Sequence, residues 1–281
     1  MSSGELIKYE VKNRTAVITL NSPKNYNALD LNGYFLLNRL VQQAAQERGT
    51  VATLIQSTGK FFSAGANVKS ATEGPEIPDN ATDQEAFFEQ QKYWFSTFGA
   101  RNTSLTETFM THPKVLVIAM NGPAIGLSAA LVAHADFIYA LDNAYLLTPF
   151  ANLGLVAEGG SSYTLVQRLG LTKANEALLA SKAIRADELY QRGFVNKLYK
   201  SGDYKSTEEF NESIQKLIED TFYSLHTESV GDIKKLIRGP MEKFLIENNY
   251  KEVLGGVNKF SHGYPQERFA MMATGKLKHK L

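Results

Sequence analysis

The sequence predicts an α/β fold in which helices connect the strands of a mostly parallel sheet. Short apolar runs rich in β-branched residues, typical of buried strands, recur along the first half of the chain. Segments with apolar residues at helical spacing separate most of these runs. Strands that alternate with helices in this way are typical of parallel sheets with crossover helices. Beyond about residue 205 only helical patterns remain, so we expect an α/β core over residues 1–204 and a helical region over 205–281.

The individual elements follow in order along the chain. The stretch "LIKYEVKNRTAVITLN" predicts two strands joined by a turn at Lys12–Arg14. A helix follows over "ALDLNGYFLLNRLVQQAAQE", with Asp30 as its N-cap. The remaining strands are predicted at "VATLIQS", "KVLVIAM", "ADFIYAL" and "AYLLTPF", and the C-terminal helices at "YKSTEEFNESIQKLIEDTFYSL", "VGDIKKLIRGPMEKFLIENN" and "PQERFAMMATGKLK". Residues 70–83 are polar, contain two prolines, and predict a loop beside the site.

A further helix is predicted over "FFEQQKYWFSTFGARNTSLTETFM". Its periodicity places Phe95, Phe98, Asn102, Leu105 and Phe109 on one stripe. The aromatic residues are more typical of a core than of an acyl-binding pocket. A buried Asn102 needs a hydrogen-bond partner, and Glu158 is a candidate.

Composition excludes several classes of function. The chain has 30 basic and 29 acidic residues, a balance that gives no field for binding nucleic acid or an anionic membrane surface. Cysteine is absent, which excludes disulfides and thiolate chemistry. We find neither a signal peptide nor an apolar run long enough for a membrane span. The last three residues, His279-Lys280-Leu281, resemble the tripeptide that the peroxisomal import receptor reads, which predicts the peroxisome matrix; the alternative is a simple basic tail.

Two glycine-containing stretches are candidates for oxyanion binding. In "GKFFSAGANVKS" the small residues Ala64, Gly65 and Ala66 follow a strand and let the backbone approach a ligand closely. In "MNGPAIGLSAALVAHAD" a buried helix begins near Gly126 and Leu127, where unpaired N–H groups suit an anion. The alternatives are a tight turn and a core helix whose first turn is hydrated.

The third stretch, "ANLGLVAEGGSS", contains an isolated carboxylate. Glu158 lies between apolar residues and two glycines that precede a helix. Apolar surroundings raise the pKa of a carboxyl toward the range that is useful for proton transfer. The alternative is an acidic residue that stabilises the positive end of the helix.

Together these stretches resemble the enoyl-CoA hydratase/isomerase (crotonase) superfamily, through "ITLNSPKNYNALD", "GKFFSAGANVK", "NGPAIGLSAALVAHADFIYA" and "RADELYQRGFVNKLY". The resemblance implies a spiral of repeated ββα units, with C-terminal helices that assemble trimers or hexamers. It implies that the N–H groups of Ala66 and Leu127 hold a thioester oxygen and that Glu158 is the catalytic carboxylate. The further substrate-binding residues that it implies are Lys24, Asn27, Ala28, Leu29, Ala64, Gly65, Gly126, Asn102 and Phe150.

The departures from the family pattern refine the implied activity. The two glutamates that hydratases of this family use are replaced here by Ala130 and Phe150. A single carboxylate can move a proton between two carbons but is poorly equipped to add water. We therefore expect isomerisation of a 3-enoyl-CoA to the trans-2-enoyl-CoA, with no cofactor, because coenzyme A is part of the substrate. The alternatives are a dienoyl-CoA isomerase, which uses a second acid at the position of Phe150, and a non-catalytic paralogue that binds CoA esters or acts as a scaffold.

Overall fold

The computed structural model describes residues 6–67 and 74–279. Part of the predicted loop, residues 70–73, lies outside this range, as do Lys280 and Leu281 of the terminal tripeptide. Residues 74–82 form neither helix nor strand, in keeping with the predicted loop.

A six-stranded sheet forms the centre of the molecule. Its strands, in spatial order, are β1 (Ile7–Lys12), β2 (Thr15–Leu20), β3 (Ala52–Ser57), β4 (Val115–Met120), β6 (Phe137–Leu141) and β9 (Lys197–Tyr199). Only the β1–β2 pair is antiparallel among these described strands, and the other four pairs are parallel. The predicted parallel sheet is therefore confirmed.

A second sheet holds the short strands β5 (Ala124–Ile125), β7 (Tyr145–Leu147) and β8 (Ile184–Arg185). The predicted strand in "AYLLTPF" belongs to this second sheet. Because β5 leads directly into the helix that begins at Leu127, this sheet fixes where that helix begins.

Helices cover both faces of the main sheet. They are α1 (Leu31–Gln46), α2 (Asp83–Trp94), α3 (Ala100–Met110), α4 (Leu127–Val132), α5 (Ser161–Leu169), α6 (Leu171–Leu178), α7 (Ala186–Gln191), α8 (Thr207–Phe222), α9 (Thr227–Ser261) and α10 (Tyr264–Ala273). The predicted cap of α1 is present, since the Asp30 carboxylate accepts a hydrogen bond from the N–H of Gly33 at 2.7 Å. Helix α8 packs its apolar stripe, which includes Phe210 and Ile214, on the β2, β3 and β4 face of the sheet. The described helices include none that is long and apolar enough to cross a bilayer.

The predicted stripe of the helix around Asn102 needs one correction. Phe95 is 46% exposed, whereas Trp94 and Phe98 are buried. The reason is a π-helical segment, Phe95–Gly99, between α2 and α3. The wider π turn shifts the helical phase, so Trp94 takes the inward position that uniform α-helical spacing gives to Phe95.

Helix α9 extends beyond the predicted segment, which ends at Asn249, as far as Ser261. It includes Gly255 and Gly256, which disfavour helix in the sequence. A side chain at Gly256 would overlap the ring of Phe98, at 2.4 Å, so the glycine allows α9 to lie close to the helix that carries Asn102. Packing therefore outweighs the weak helix propensity here.

Candidate active site

The segment Ser63–Asn67 is held in an extended path beside residues 26–29. The N–H of Ala64 bonds to the carbonyl oxygen of Tyr26, and Leu29 exchanges hydrogen bonds with Gly65 and Asn67, all at 2.9 Å. These bonds to Leu29 lie on either side of Ala66 and leave the Ala66 N–H directed elsewhere. Within the described residues that N–H has no hydrogen-bond partner.

The same segment also lies against β5 and the start of α4. Ser63 exchanges backbone hydrogen bonds with Pro123 and Ile125, at 3.1 and 2.9 Å. Gly65 has a φ of +82°, and a side chain there would lie 2.5 Å from the carbonyl oxygen of Ile125. Only glycine permits this approach, which brings Ala66 beside the backbone that leads into Leu127.

Leu127 is the first residue of α4, so its N–H has no partner within the helix. The preceding Gly126 adopts φ +62° and ψ −133°, a conformation that is essentially confined to glycine, and donates its N–H to Leu147 at 2.8 Å. Among the described residues, the N–H groups of Ala66 and Leu127 are thus two donors without a partner, on adjacent segments. An oxyanion hole requires this kind of arrangement.

Glu158 lies next to these donors. A side chain built on the following residue, Gly159, would be 2.9 Å from the Leu127 side chain and 2.8 Å from that of Ala130. The turn that carries Glu158 therefore packs directly on the first turn of α4. The Glu158 residue is 7% exposed.

The Glu158 carboxylate has partners on one oxygen only. Its Oε2 accepts a hydrogen bond from Nδ2 of Asn102 at 2.7 Å and lies 3.8 Å from Nη2 of Arg101. Asn102 is fixed in turn, because its Oδ1 accepts from Nε of Arg101 at 2.8 Å. Oε1 has no hydrogen-bond partner among the described residues. Burial raises the pKa of the Glu158 carboxyl above its ordinary value, while the charge of Arg101 and the Asn102 hydrogen bond act in the opposite direction. A raised pKa makes a carboxyl better suited to accept and return a proton than an ordinary one.

A chain of contacts runs from the Glu158 carboxylate to the segment Ser63–Asn67, named here the oxyanion segment. The Arg101 guanidinium lies over the ring of Tyr34, at 5.2 Å, and the Tyr34 hydroxyl is 3.4 Å from that of Ser128. The Ser128 hydroxyl is 2.9 Å from that of Ser63, which accepts from the N–H of Gly65 at 3.2 Å. Burial raises the pKa of Tyr34 to about 12, so this chain holds a neutral phenol.

A cavity of about 80 Å³ opens beside Glu158. Its walls come from the oxyanion segment, from the helices on either side of the π segment, and from the C-terminal helices. The lining residues are Leu29, Asp30, Leu31, Ala66, Asn67, Tyr93, Trp94, Thr97, Phe98, Arg101, Leu155, Glu158, Phe260 and Phe269. The aromatic side chains that line it also form a cluster, in which Phe260 stacks on Trp94 at 4.3 Å. The cavity therefore combines two carboxylates, Asp30 and Glu158, and one guanidinium with largely apolar walls, as is typical of a small-molecule site.

The other residues predicted for the site differ in their surroundings. Lys24 is exposed, and Ala28 and Leu29 lie on the segment that is hydrogen-bonded to Ser63–Asn67. Asn27 is buried, and its side chain bonds to the backbone of Ser22, Thr58 and Phe61, so it organises the loops. Phe150 is buried and is not among the cavity-lining residues.

Two charged residues of this region are absent from the sequence-based prediction. Arg101 is adjacent to Asn102, but an arginine in an amphipathic helix gives no signal that it turns inward. Glu252, on α9, accepts hydrogen bonds from the N–H groups of Gly160 and Ser162, at 2.7 and 2.8 Å. Glu252, and not Glu158, therefore caps α5, which removes the capping role as the explanation of Glu158.

Comparison with known proteins identifies the family and the fold of this chain. The enoyl-CoA hydratase/isomerase family model matches residues 10–229. A "Delta(3,5)-Delta(2,4)-dienoyl-CoA isomerase" of Pyricularia oryzae is 44% identical and aligns over 97% of this chain and 98% of its own length. The "3,2-trans-enoyl-CoA isomerase" of Saccharomyces cerevisiae is 34% identical, over 99% of this chain and 97% of its own. A crystal structure of an enoyl-CoA hydratase/isomerase from Pseudoalteromonas atlantica superimposes with a TM-score of 0.79 at 23% identity, covering 98% of this chain and 99% of that one.

The chain belongs to the enoyl-CoA hydratase/isomerase family, and it has the crotonase fold. Within that family it is an isomerase that transposes a carbon–carbon double bond. The resemblance inferred from the sequence motifs is thereby confirmed. Its relatives act, by name, at two different positions of the acyl chain, and they do not separate these two activities for this protein.

Proposed function

We propose that the protein is a Δ3,Δ2-enoyl-CoA isomerase that converts 3-enoyl-CoA into trans-2-enoyl-CoA. The observation that carries this proposal is the buried carboxylate of Glu158, placed beside the N–H groups of Ala66 and Leu127, which have no partner among the described residues. A 34% identical relative from Saccharomyces cerevisiae is named for this reaction.

The mechanism is a proton shuttle. The thioester oxygen accepts hydrogen bonds from Ala66 and Leu127, and Oε1 of Glu158 removes a proton from C2. The electron pair of the C2–H bond forms a dienolate whose negative charge rests on the thioester oxygen. Each donor of an oxyanion hole contributes roughly 10²- to 10³-fold in rate. Protonated Glu158 then returns the proton to C4, the double bond settles between C2 and C3, and the carboxylate is regenerated.

The residues around Glu158 favour this reaction over hydration. Ala130 and Phe150 occupy the two positions where the family's hydratases have glutamates, and neither side chain can activate water. Among the described residues that line the cavity, the other carboxylate is Asp30, and one of its oxygens already accepts from Gly33. A single mobile proton suffices for isomerisation.

A dienoyl-CoA isomerase is the second candidate, because the 44% identical relative from Pyricularia oryzae carries that name. Conversion of a 3,5-dienoyl-CoA to the 2,4-dienoyl-CoA moves a proton from C2 to C6. Since C6 lies farther from C2 than C4 does, the family places a second acid at the position of Phe150 for this step. The phenylalanine favours the shorter transfer.

Product analysis distinguishes the candidates. The purified enzyme is incubated in parallel with a 3-enoyl-CoA, a 3,5-dienoyl-CoA and a 2-enoyl-CoA, and the products are separated by chromatography. We expect the first to give the trans-2-enoyl-CoA fastest and the last to give no 3-hydroxyacyl-CoA. Faster conversion of the dienoyl substrate would support the second candidate, and hydration or no reaction would contradict both.

The proposal extends to assembly. Helix α9 carries an apolar set of exposed side chains, Ile233, Leu236, Ile237, Phe244, Ile246 and Tyr250. The most exposed of them, Leu236, is 76% exposed. So many exposed large apolar side chains on one helix are typical of an interaction surface. A homotrimer, or a hexamer of two trimers, would bury them. Sedimentation of a monomer at micromolar concentration would contradict this assembly.

The predicted peroxisomal location also remains a proposal. It applies where Leu281 is the last residue of the protein, because the import receptor reads a free C-terminus. A mouse relative of 27% identity over 67% of this chain is named a peroxisomal isomerase. Deletion of Leu281 should leave a tagged protein in the cytosol, and an unchanged distribution would refute the signal.

A further inference from the structure

We propose that Glu252, on helix α9, is a positioning residue that fixes the turn carrying the catalytic Glu158. The proposal rests on the function assigned above to Glu158. It gives the C-terminal helical region a role in the chemistry of its own subunit, besides any role in assembly.

Both oxygens of the Glu252 carboxylate are committed to this turn. Oε2 accepts from the N–H of Gly160 at 2.7 Å, and Oε1 accepts from the N–H of Ser162 at 2.8 Å. Glu252 is 6% exposed, so it is sequestered from competing water. A carboxylate that accepts two N–H groups at a helix N-terminus forms strong, charge-assisted hydrogen bonds. Their direction fixes both the start of α5 and the residues just before it.

His134 also holds the turn. Its Nε2 lies 2.8 Å from the carbonyl oxygen of Gly159 and must donate, because that oxygen can only accept. Burial lowers the pKa of His134 to about 4, so the imidazole is neutral at physiological pH. The two glycines that follow Glu158 have φ values of +70° and +72°. A turn of two such flexible residues needs external contacts to hold one conformation, and Glu252 and His134 provide them.

Glu252 also adds a charge near the reacting group. The described charged side chains coupled to Glu158 are Arg101 on α3, a cation that lowers the pKa of Glu158, and Glu252 on α9, whose own pKa is raised by the charge of Glu158. The other titratable neighbours, Tyr34 on α1 and His134, are neutral at physiological pH. Burial is the main reason that the pKa of Glu252 is raised, and the charge of Glu158 raises the pKa further. The hydrogen bonds from Ser162 and Gly160 act in the opposite direction. Coupling between two sites is reciprocal, so ionised Glu252 favours the protonated form of Glu158.

The test is a Glu252→Gln variant of the full chain. A glutamine has one acceptor oxygen, so it can keep only one of the two hydrogen bonds, and it removes the charge. We expect kcat for the 3-enoyl-CoA to fall about 10- to 100-fold, because the base is misplaced, while KM stays within about twofold. We also expect the acid limb of the pH–rate profile to move to lower pH, because loss of the nearby negative charge lowers the pKa of Glu158. A purely structural residue would leave that limb in place.

The matched control is Glu247→Gln on the same helix, where the exposed carboxylate forms an ion pair with Lys251. It should match the wild type in kcat and in pH profile. A folded Glu252→Gln protein with wild-type kcat and an unmoved acid limb would overturn the proposal. If that variant does not fold, Glu252→Asp is measured instead. Aspartate keeps the charge but is shorter, so we expect a lower kcat and an acid limb at the wild-type pH. A wild-type kcat in this variant would overturn the proposal. The Glu158→Gln variant distinguishes failure of this proposal from failure of the proposed function. If turnover is lost in Glu158→Gln but not in Glu252→Gln, only the role of Glu252 is refuted.

Discussion

The side-chain amide of Asn102 lies 2.7 Å from Oε2 of Glu158 and leaves Oε1 as the carboxylate oxygen that has no described partner. Asn102 is held by Arg101 through its own carbonyl oxygen, so it cannot rotate freely away. The pair thus presents one oriented oxygen to the cavity. A neutral donor at this position stabilises the ionised carboxylate without removing its ability to take a proton.

Asn102→Asp should move the pH dependence of the reaction. The substitution replaces a donor by a second carboxyl within hydrogen-bond distance of Glu158, and such pairs share a proton. The apparent pKa of the catalytic group should therefore rise, and the acid limb of kcat/KM should move to higher pH. Rates measured over a pH series test this. Asn143→Asp, at an exposed turn, is the control, and an acid limb that is equally placed in both variants would contradict the assigned contact.

Gly159→Ala should disturb the turn that carries Glu158. The new Cβ would approach the side chains of Leu127 and Ala130 to below 3 Å, and the residue has a φ of +70°. Overpacking of this kind costs about 1–3 kcal/mol, and displacement of the base should lower kcat about 10-fold or more. The control is Gly193→Ala, which has a φ of +75° and no neighbour within 4 Å, so it carries the backbone strain alone. If both variants lose the same stability and the same activity, backbone strain alone accounts for the effect, and the contacts of Gly159 with Leu127 and Ala130 do not contribute.

Glu158→Gln should stabilise the folded protein at neutral pH. Burial raises the folded-state pKa of Glu158, so the wild type loses stability as the pH rises from the unfolded to the folded pKa. Glutamine avoids that penalty and can still accept from Asn102. We expect a gain of about 1 kcal/mol near pH 7 that shrinks toward pH 4. Melting temperatures at several pH values measure it, with exposed Glu247→Gln as the control. A variant that is less stable than the wild type at pH 7 would show that the ionised Glu158 carboxylate does not destabilise the folded protein.

Much of the fold follows from the sequence because buried strands and amphipathic helices have distinct periodicities. The strands around Ile18 and Val117, and the Asp30 cap, lie where local patterns place them. Phe95 does not, because a π turn changes the helical phase without a clear local signal. The role of Glu252 is not predicted from the sequence for a different reason. Glu252 lies on a helix that is distant in sequence from Gly160, and only tertiary packing brings the two together.

The candidate site shows the same division. Short motifs identify Ala66, Leu127 and Glu158, because tight glycine turns and an isolated carboxylate are local features. Arg101 and Glu252 tune or hold the carboxylate through side-chain contacts that no spacing rule encodes. The residues that we propose carry out the chemistry therefore leave a local signal in the sequence, whereas those that we propose position them do not.

Steady-state kinetics of Glu158→Gln on a 3-enoyl-CoA test the central claim most directly. A lost general base should lower kcat by roughly 10²-fold or more. KM should change little, because the oxyanion donors and the cavity walls remain, and a thermal melt should show a folded protein. A folded variant that keeps most of the wild-type isomerisation rate would contradict the assignment of Glu158 as the group that carries the proton from C2 to C4.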